Sequence, residues 1–141
     1  MIQISAQVTN QENQHNITLT TNGTAHNITI PPKSSGFGSS ANGGEVLFLA
    51  LATCYCNDIY REAAKRNITV HQVHVEVSGE FAPEAGAIAE NVVYHVTVSG
   101  DADDETIRAL IEHTDTVAEV QNTLRQGISV TLGKITTTSS T

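Results

Sequence analysis

Two cysteines, Cys54 and Cys56, stand two residues apart inside the most apolar run of the chain, Glu45-Val-Leu-Phe-Leu-Ala-Leu-Ala-Thr-Cys54-Tyr-Cys56-Asn-Asp58. A thiol in such surroundings can be a small buried apolar residue, or it can be a nucleophile; only the thiolate attacks, and an apolar site keeps it protonated unless a cation offsets the burial. The run has the length and composition of a helix. On a helix, residues two apart point about 200° away from each other. Cys54 and Cys56 therefore cannot join without local unwinding or a second subunit. Asp58 lies one turn beyond Cys54, within reach of it. A carboxylate there raises the thiol pKa, opposite to what a resting thiolate needs, and Asp58 is expected instead to pair with Arg61, or near Glu62, at the surface.

No other constellation competes. His71 and His74 are three apart on a strand pattern, hence on opposite faces. His95 falls on a polar strand face, and His113 near an expected helix break. No metal site and no cofactor are expected, because the helical spacing of the thiols also disfavours zinc. The glycines at 36, 38, 43 and 44 match neither phosphate-binding spacing.

The elements that position the thiols follow from periodicity. Ile2, Ile4, Ala6 and Val8 alternate with polar residues as a half-buried strand. Ile17 and Leu19 begin a hairpin that turns at Asn22-Gly23 and returns through Ile28 and Ile30. Residues 33–44, rich in Ser and Gly, read as a mobile connection, a flexible loop over the site. A long helix is expected from about Gly44 to Arg66, its first half apolar on every side and buried all round, its end capped by Asn67 in the left-handed region. Val73, Val75, Val77 and Phe81 share one strand face; Ile88, Val92, Tyr94, Val96 and Val98 share the next. Asp101, Asp103 and Asp104 announce a helix with Ile107, Leu110 and Ile111 inward. Thr116-Val-Ala-Glu119 has capping-box spacing, so a break near Asp115 is expected. Gly127 ends the second piece, and Ile128, Val130 and Leu132 make a closing strand. The order β-β-β-α-β-β-α-α-β describes an α+β domain, antiparallel strands wrapping a central helix, over residues 1–135, with 136–141 a disordered tail.

The net charge of −8 argues against a nucleic acid or an anionic membrane as partner, since both reward clustered Lys and Arg. The chain opens without an apolar leader and its longest apolar run is too short to span a bilayer. A cytoplasmic protein with reduced thiols is expected. With 4 % aromatic residues and no Trp, the core must come from Val, Ile, Leu and Ala, which makes burial against a second copy plausible.

Leu49-Ala-Leu-Ala-Thr-Cys54 on a long helix, then Ala63-Ala64-Lys65-Arg66-Asn67-Ile68 and a Val-alternating strand, resembles the OsmC/Ohr family of osmotically induced and organic-hydroperoxide-resistance proteins. Val120-Gln-Asn-Thr-Leu124-Arg-Gln-Gly127 is similar to the family's second helix, and the likeness covers about residues 36 to 135. The resemblance implies an intertwined homodimer with sites at the subunit interface. It also implies a thiol that attacks an organic hydroperoxide, a resolving Cys on the second helix, an Arg from the N-terminal strands and a Glu at the start of the central helix. Cys54 matches the attacking position. Ala118-Glu119 stands where the resolving Cys-Pro pair would be, no Arg precedes Arg61, and the Glu position ten residues before the Cys holds Gly44, with Glu45 one place on. The candidate catalytic set is accordingly Cys54, Glu45 and Cys56, in a one-Cys hydroperoxide reductase served by an external thiol or by Cys56. The alternative is a non-catalytic dimer binding a small hydrophobic molecule in an interface pocket.

Overall fold

The computed structural model describes residues 1–140. The strands are β1 (Ile4–Gln11), β2 (Gln14–Thr21), β3 (Thr24–Ile28), β4 (Val70–Phe81) and β5 (Ala89–Gly100); the helices are α1 (Gly43–Lys65), α2 (Asp104–Val117) and α3 (Glu119–Gln126). All strand pairing is antiparallel, in a three-stranded sheet of order β1-β2-β3 and a two-stranded sheet of β4 and β5. This is the α+β class read from the sequence. The chain divides into two compact units, Met1–Leu49 and the remainder from Ala50, with the boundary inside α1.

In the first unit both hairpin turns use asparagine at positive φ, Asn13 at 61° and Asn22 at 48° followed by Gly23 at 83°. Such values cost Asn and Gly little. Ile17 is buried on β2, whereas every residue of β1 is exposed rather than half-buried. The connection after β3 is not a free linker. Asn13 N donates to Gly36 O at 2.8 Å, Gly36 N to Asn13 Oδ1 at 3.2 Å and Gly38 N to Asn10 Oδ1 at 2.9 Å. Ser40 N also reaches Pro31 O at 2.9 Å. The Gly and Ser composition that suggested mobility serves tight backbone geometry against the β1–β2 turn.

Helix α1 starts on a reciprocal cap: Glu45 N donates to Asn42 Oδ1 at 2.8 Å and Asn42 N to Glu45 Oε1 at 2.9 Å. Each bond satisfies a donor that the first helical turn leaves open. The helix ends as expected at Asn67, φ 57°, with Ile68 N bonded to Ala63 O at 3.0 Å. Its first half is not buried all round, for Leu49 is 55 % exposed and Val46 is also exposed. An apolar helix face buries only where something packs on it, and sequence alone does not say what does.

The second unit holds the core. Tyr55, Ile59 and Ala63 of α1 pack with Leu110 and Ala118, flanked by Val73 and Val75 of β4, by Tyr94, Val96 and Val98 of β5, and by Ile111. Burying Tyr55, Ile59 and Leu110 removes enough apolar surface to contribute about 2 kcal/mol each. Tyr55 Oη also donates to Ile111 O at 2.8 Å, tying α1 to α2. Val92 falls out of the expected strand face and is exposed, because the register shifts between Ser78 and Glu80 and Asn91 takes φ 54° there.

Two expectations at the C-terminal end are corrected. The break between α2 and α3 is at Ala118, extended at φ −72° and ψ 113°, not near Asp115. Thr116 does not cap α3; its hydroxyl donates back to His113 O at 2.6 Å. Asp103 caps α2 as read, accepting from Thr106 N at 2.8 Å, and Gly127 ends α3 at φ 67°. The closing strand at Ile128, Val130 and Leu132 does not form: among the described residues no strand pairs with this segment, and Val130 is 90 % exposed. Alternation states which way a strand would face; a ladder needs a neighbour with free backbone groups. The expected tail reaches Thr141, which lies outside the described residues; 136–140 carry no helix or strand. Among the described residues no helix is long and apolar enough to cross a membrane.

Candidate functional site

Cys54 lies on the α1 face that receives the start of α3. Two turns of one helix and the first turn of another supply the polar partners of its sulfur. Sγ donates to Asp58 Oδ2 at 3.5 Å, one turn along α1. Val120 N at the head of α3 donates to Sγ at 3.5 Å, and Glu119 Oε1 is 3.8 Å away. Arg61 closes the group, its Nη1 lying 3.1 Å from Asp58 Oδ1 and 2.9 Å from Glu119 Oε2. Asp58 thus carries a cation on one oxygen and the thiol on the other. The interruption at Ala118 makes this arrangement, since restarting the helix at Glu119 turns its first free N–H groups and its first carboxylate toward α1. Gln121 Nε2 holds α3 down by donating to Leu51 O at 2.9 Å.

The electrostatics follow from that geometry. Burial pushes the Cys54 thiol above its ordinary value; the Val120 N–H opposes this, while the carboxylates of Asp58 and Glu119 add to it. Burial and the neighbouring Glu119 carboxyl raise Asp58 too, with Arg61 pulling the other way. Glu119 is lowered, chiefly by its hydrogen bonding with Asp58 and then by Arg61. Among the described residues no cation touches the sulfur itself. Cys54 at rest is a thiol, held between two carboxylates.

Asp58 does pair with Arg61 as the spacing suggested, but it is not at the surface: it is 6 % exposed. Cys56 is a free thiol, as is Cys54. It lines a separate groove with Ala52, Thr53, Asn57, Val73, His74 and Val75, in keeping with the helical angle between the two cysteines. Glu45 belongs to the first compact unit, where its carboxylate is engaged in the α1 cap. Sequence reasoning did not place Glu119 or Val120 at the thiol. The signal available was that Ala118-Glu119 occupies the slot of the family's Cys-Pro pair, which fixes where the second helix meets the first.

Sγ of Cys54, one carboxylate oxygen of Asp58 and one of Glu119 lie within 4.8 Å of one another, a donor set with metal-ligand chemistry. Arg61 already bonds both carboxylates in this arrangement, and its positive charge would repel a cation there.

Four residues along α1 the balance reverses. Glu62 is buried, and its carboxylate accepts from Arg61 Nε at 2.9 Å, Lys65 Nζ at 3.0 Å and His113 Nε2 at 2.8 Å. These hydrogen bonds hold its pKa down at about 2. A third network joins Tyr94 and Arg125 to Asp115, with Arg125 Nη2 2.6 Å from Asp115 Oδ1.

Solved structures share this architecture. An OsmC-like protein from Mycoplasma pneumoniae is 18 % identical, with 89 % of this chain and 87 % of that chain covered and a TM-score of 0.61. An organic hydroperoxide resistance protein OsmC from Legionella pneumophila is 22 % identical over 87 % and 89 % of the two chains, TM-score 0.57. An organic hydroperoxide resistance protein from Elizabethkingia anophelis is 20 % identical over 87 % and 88 %, TM-score 0.54. At these identities the likeness speaks for the fold. No curated protein sequence matches the chain. The family model described as OsmC-like protein matches residues 36–133, a span that holds α1, both strands of the second sheet, α2, α3 and every member of the Cys54 cluster, and the chain belongs to the OsmC-like family.

Proposed function

We propose that this protein is a one-Cys, thiol-dependent reductase of organic hydroperoxides, acting in oxidative or osmotic stress defence. The observation that supports the reading is the placement of Cys54: at the family's attacking position, partly buried, with a proton acceptor at 3.5 Å. The names of the similar proteins from Legionella pneumophila and Elizabethkingia anophelis, both hydroperoxide resistance proteins, point the same way.

In this reading the Cys54 sulfur attacks the terminal peroxide oxygen. An S–O bond forms, the O–O bond breaks, sulfur loses two electrons and the peroxide leaves as its alcohol. The resulting sulfenic acid has no second-helix Cys to meet, since Ala118 and Glu119 occupy that stretch. Two molecules of an external thiol complete the cycle, returning Cys54 and releasing water and their disulfide. Glu45, engaged in the helix cap, and Cys56, in its own groove, take no part in the attack. A cycle of this kind needs a pool of reduced thiol, hence the cytoplasm.

The working unit we propose is a homodimer. Its support is the apolar surface that one chain leaves uncovered: Ile4 and Val8 on β1, and Ile128, Val130 and Leu132 beyond α3, are all exposed. The same surface favours a second reading, a non-catalytic dimer whose interface holds a small hydrophobic molecule. The two part on one experiment. Reduced protein mixed with cumene hydroperoxide consumes one equivalent, with the sulfenic acid trapped by dimedone at Cys54, and Cys54→Ser abolishes both. Consumption no faster than that of free cysteine removes the enzyme reading.

A further inference from the structure

We propose that Asp58 is the base of this reaction, taking the Cys54 thiol proton as sulfur attacks and handing it to the departing alcohol oxygen, with Glu119 and Arg61 as positioning residues. The inference rests on the hydroperoxide reductase reading and assigns the proton path within it. The route balances without another reactant. The S–H bond breaks as the S–O bond forms, the proton moves to Asp58 Oδ2, and the same proton finishes on the alkoxide oxygen that the broken O–O bond leaves behind. Asp58 ends as it began.

Three observations carry this. First, the two carboxylate oxygens of Asp58 have different partners. Oδ1 is pinned by Arg61 Nη1 at 3.1 Å, while Oδ2 faces the sulfur at 3.5 Å. An oxygen already bonded to guanidinium stays in place while the other accepts a proton. Second, Arg61 is itself anchored from α3 by Glu119 Oε2 at 2.9 Å and along α1 by Glu62 Oε2 at 2.9 Å. The base is therefore held from both helices that flank the thiol. Third, among the described residues the sulfur has one backbone donor, Val120 N at 3.5 Å, and no cationic side chain bonded to it. A site with a cation on the sulfur could store a thiolate before substrate arrives; this one must move the proton during the attack. The attacking sulfur then keeps the higher intrinsic nucleophilicity of a weakly acidic thiol.

The charged groups facing Asp58 are Cys54 and Arg61 from its own helix and Glu119 from α3. Glu62, with Lys65 and His113, forms the neighbouring cluster and bonds Arg61 through the other side of the guanidinium.

The geometry makes the alternative role of Asp58 testable by sign. If Asp58 only burdens the thiol with negative charge, Asp58→Asn frees the thiolate and speeds every reaction of Cys54. If it is the base, Asp58→Asn speeds simple alkylation of Cys54 by iodoacetamide but slows peroxide reduction, by about 10²-fold at neutral pH. The experiment is single-turnover consumption of cumene hydroperoxide, with parallel iodoacetamide alkylation resolved at Cys54 by mass spectrometry, on wild type, Asp58→Asn and Glu119→Gln. Wild-type peroxide reduction is expected to be flat over about pH 6.5 to 8, whereas Asp58→Asn climbs about tenfold per pH unit as thiolate forms. Glu119→Gln loses less, about tenfold, through a loosened Asp58. Faster peroxide reduction in Asp58→Asn, or a wild-type rate that itself climbs tenfold per unit, overturns the proposal while leaving the reductase reading intact. Wild type that consumes no hydroperoxide at Cys54 defeats both. Should Asp58→Asn fail to fold, Asp58→Glu keeps a carboxyl on a longer arm. It is then slower with the flat profile retained, and a climbing profile overturns the proposal.

Discussion

Asp58 and Glu62 stand one turn apart on α1, both buried carboxylates, and they end in opposite states. Glu62 gathers three donors, Arg61, Lys65 and His113, and is held well below the usual carboxylate range. Asp58 shares one of those cations with Glu119, faces a thiol with its remaining oxygen, and is pushed up. Arg61 is common to both, so the difference does not come from that residue. It comes from what the other helices deliver: α2 brings His113 to Glu62, while the restart at Ala118 brings a second carboxylate to Asp58. A buried carboxylate that accepts from three donors is a structural anchor; one that turns an oxygen to a thiol is the base we propose.

The largest effect expected on the anchor side is on stability. Glu62→Ala leaves three donors, Arg61, Lys65 and His113, without their common acceptor and should lower the melting temperature by about 10 °C. Asp58→Asn removes a carboxylate whose ionised form the fold disfavours and should leave the melting temperature within about 2 °C of wild type, or raise it. Thermal unfolding followed by circular dichroism separates the two; equal losses would erase the distinction.

Acid sharpens it further. Because the folded pKa of Glu62 lies below the ordinary value of 4.5, at about 2, its stabilising contribution is present above pH 4.5 and is lost as pH falls toward 2. Asp58 contributes with the other sign, since protonating it relieves the fold. Melting temperatures of wild type should therefore drop through that acid window, and Glu62→Gln should flatten the drop. Lys65→Met, removing the most exposed of the three donors, should move the Glu62 titration by less than about one unit, as an exposed pair warrants. Titration by carbon-13 NMR of the Glu62 carboxyl reads it directly.

Much of the scaffold could be read from the chain because it rests on local rules. Asn22-Gly23 turns the hairpin, Asp103 caps α2, Asn67 and Gly127 end their helices, and the alternating valines of β4 face the core. What failed were statements about neighbours. Leu49 and Val130 are as apolar as Leu51 and Val75, yet exposed; composition does not say what packs on a face or which strand lies alongside. The site divides the same way. Cys54 and its turn-mate Asp58 were visible through helical spacing, and so was the separation of Cys56. Glu119 was not, because the capping-box spacing announced a break near Asp115, whereas its approach depends on the chain turning extended at Ala118 itself.

Cys54 rests as a protonated thiol facing carboxylates, and the rate of its alkylation by iodoacetamide against pH, resolved from Cys56 by mass spectrometry, reads that state. The thiol is pushed above its ordinary value of 9.0, so the rate should still be climbing at pH 9. A rate that has already levelled off by about pH 7 is the behaviour of a cation-stabilised thiolate and would mean that Cys54 is ionised at rest.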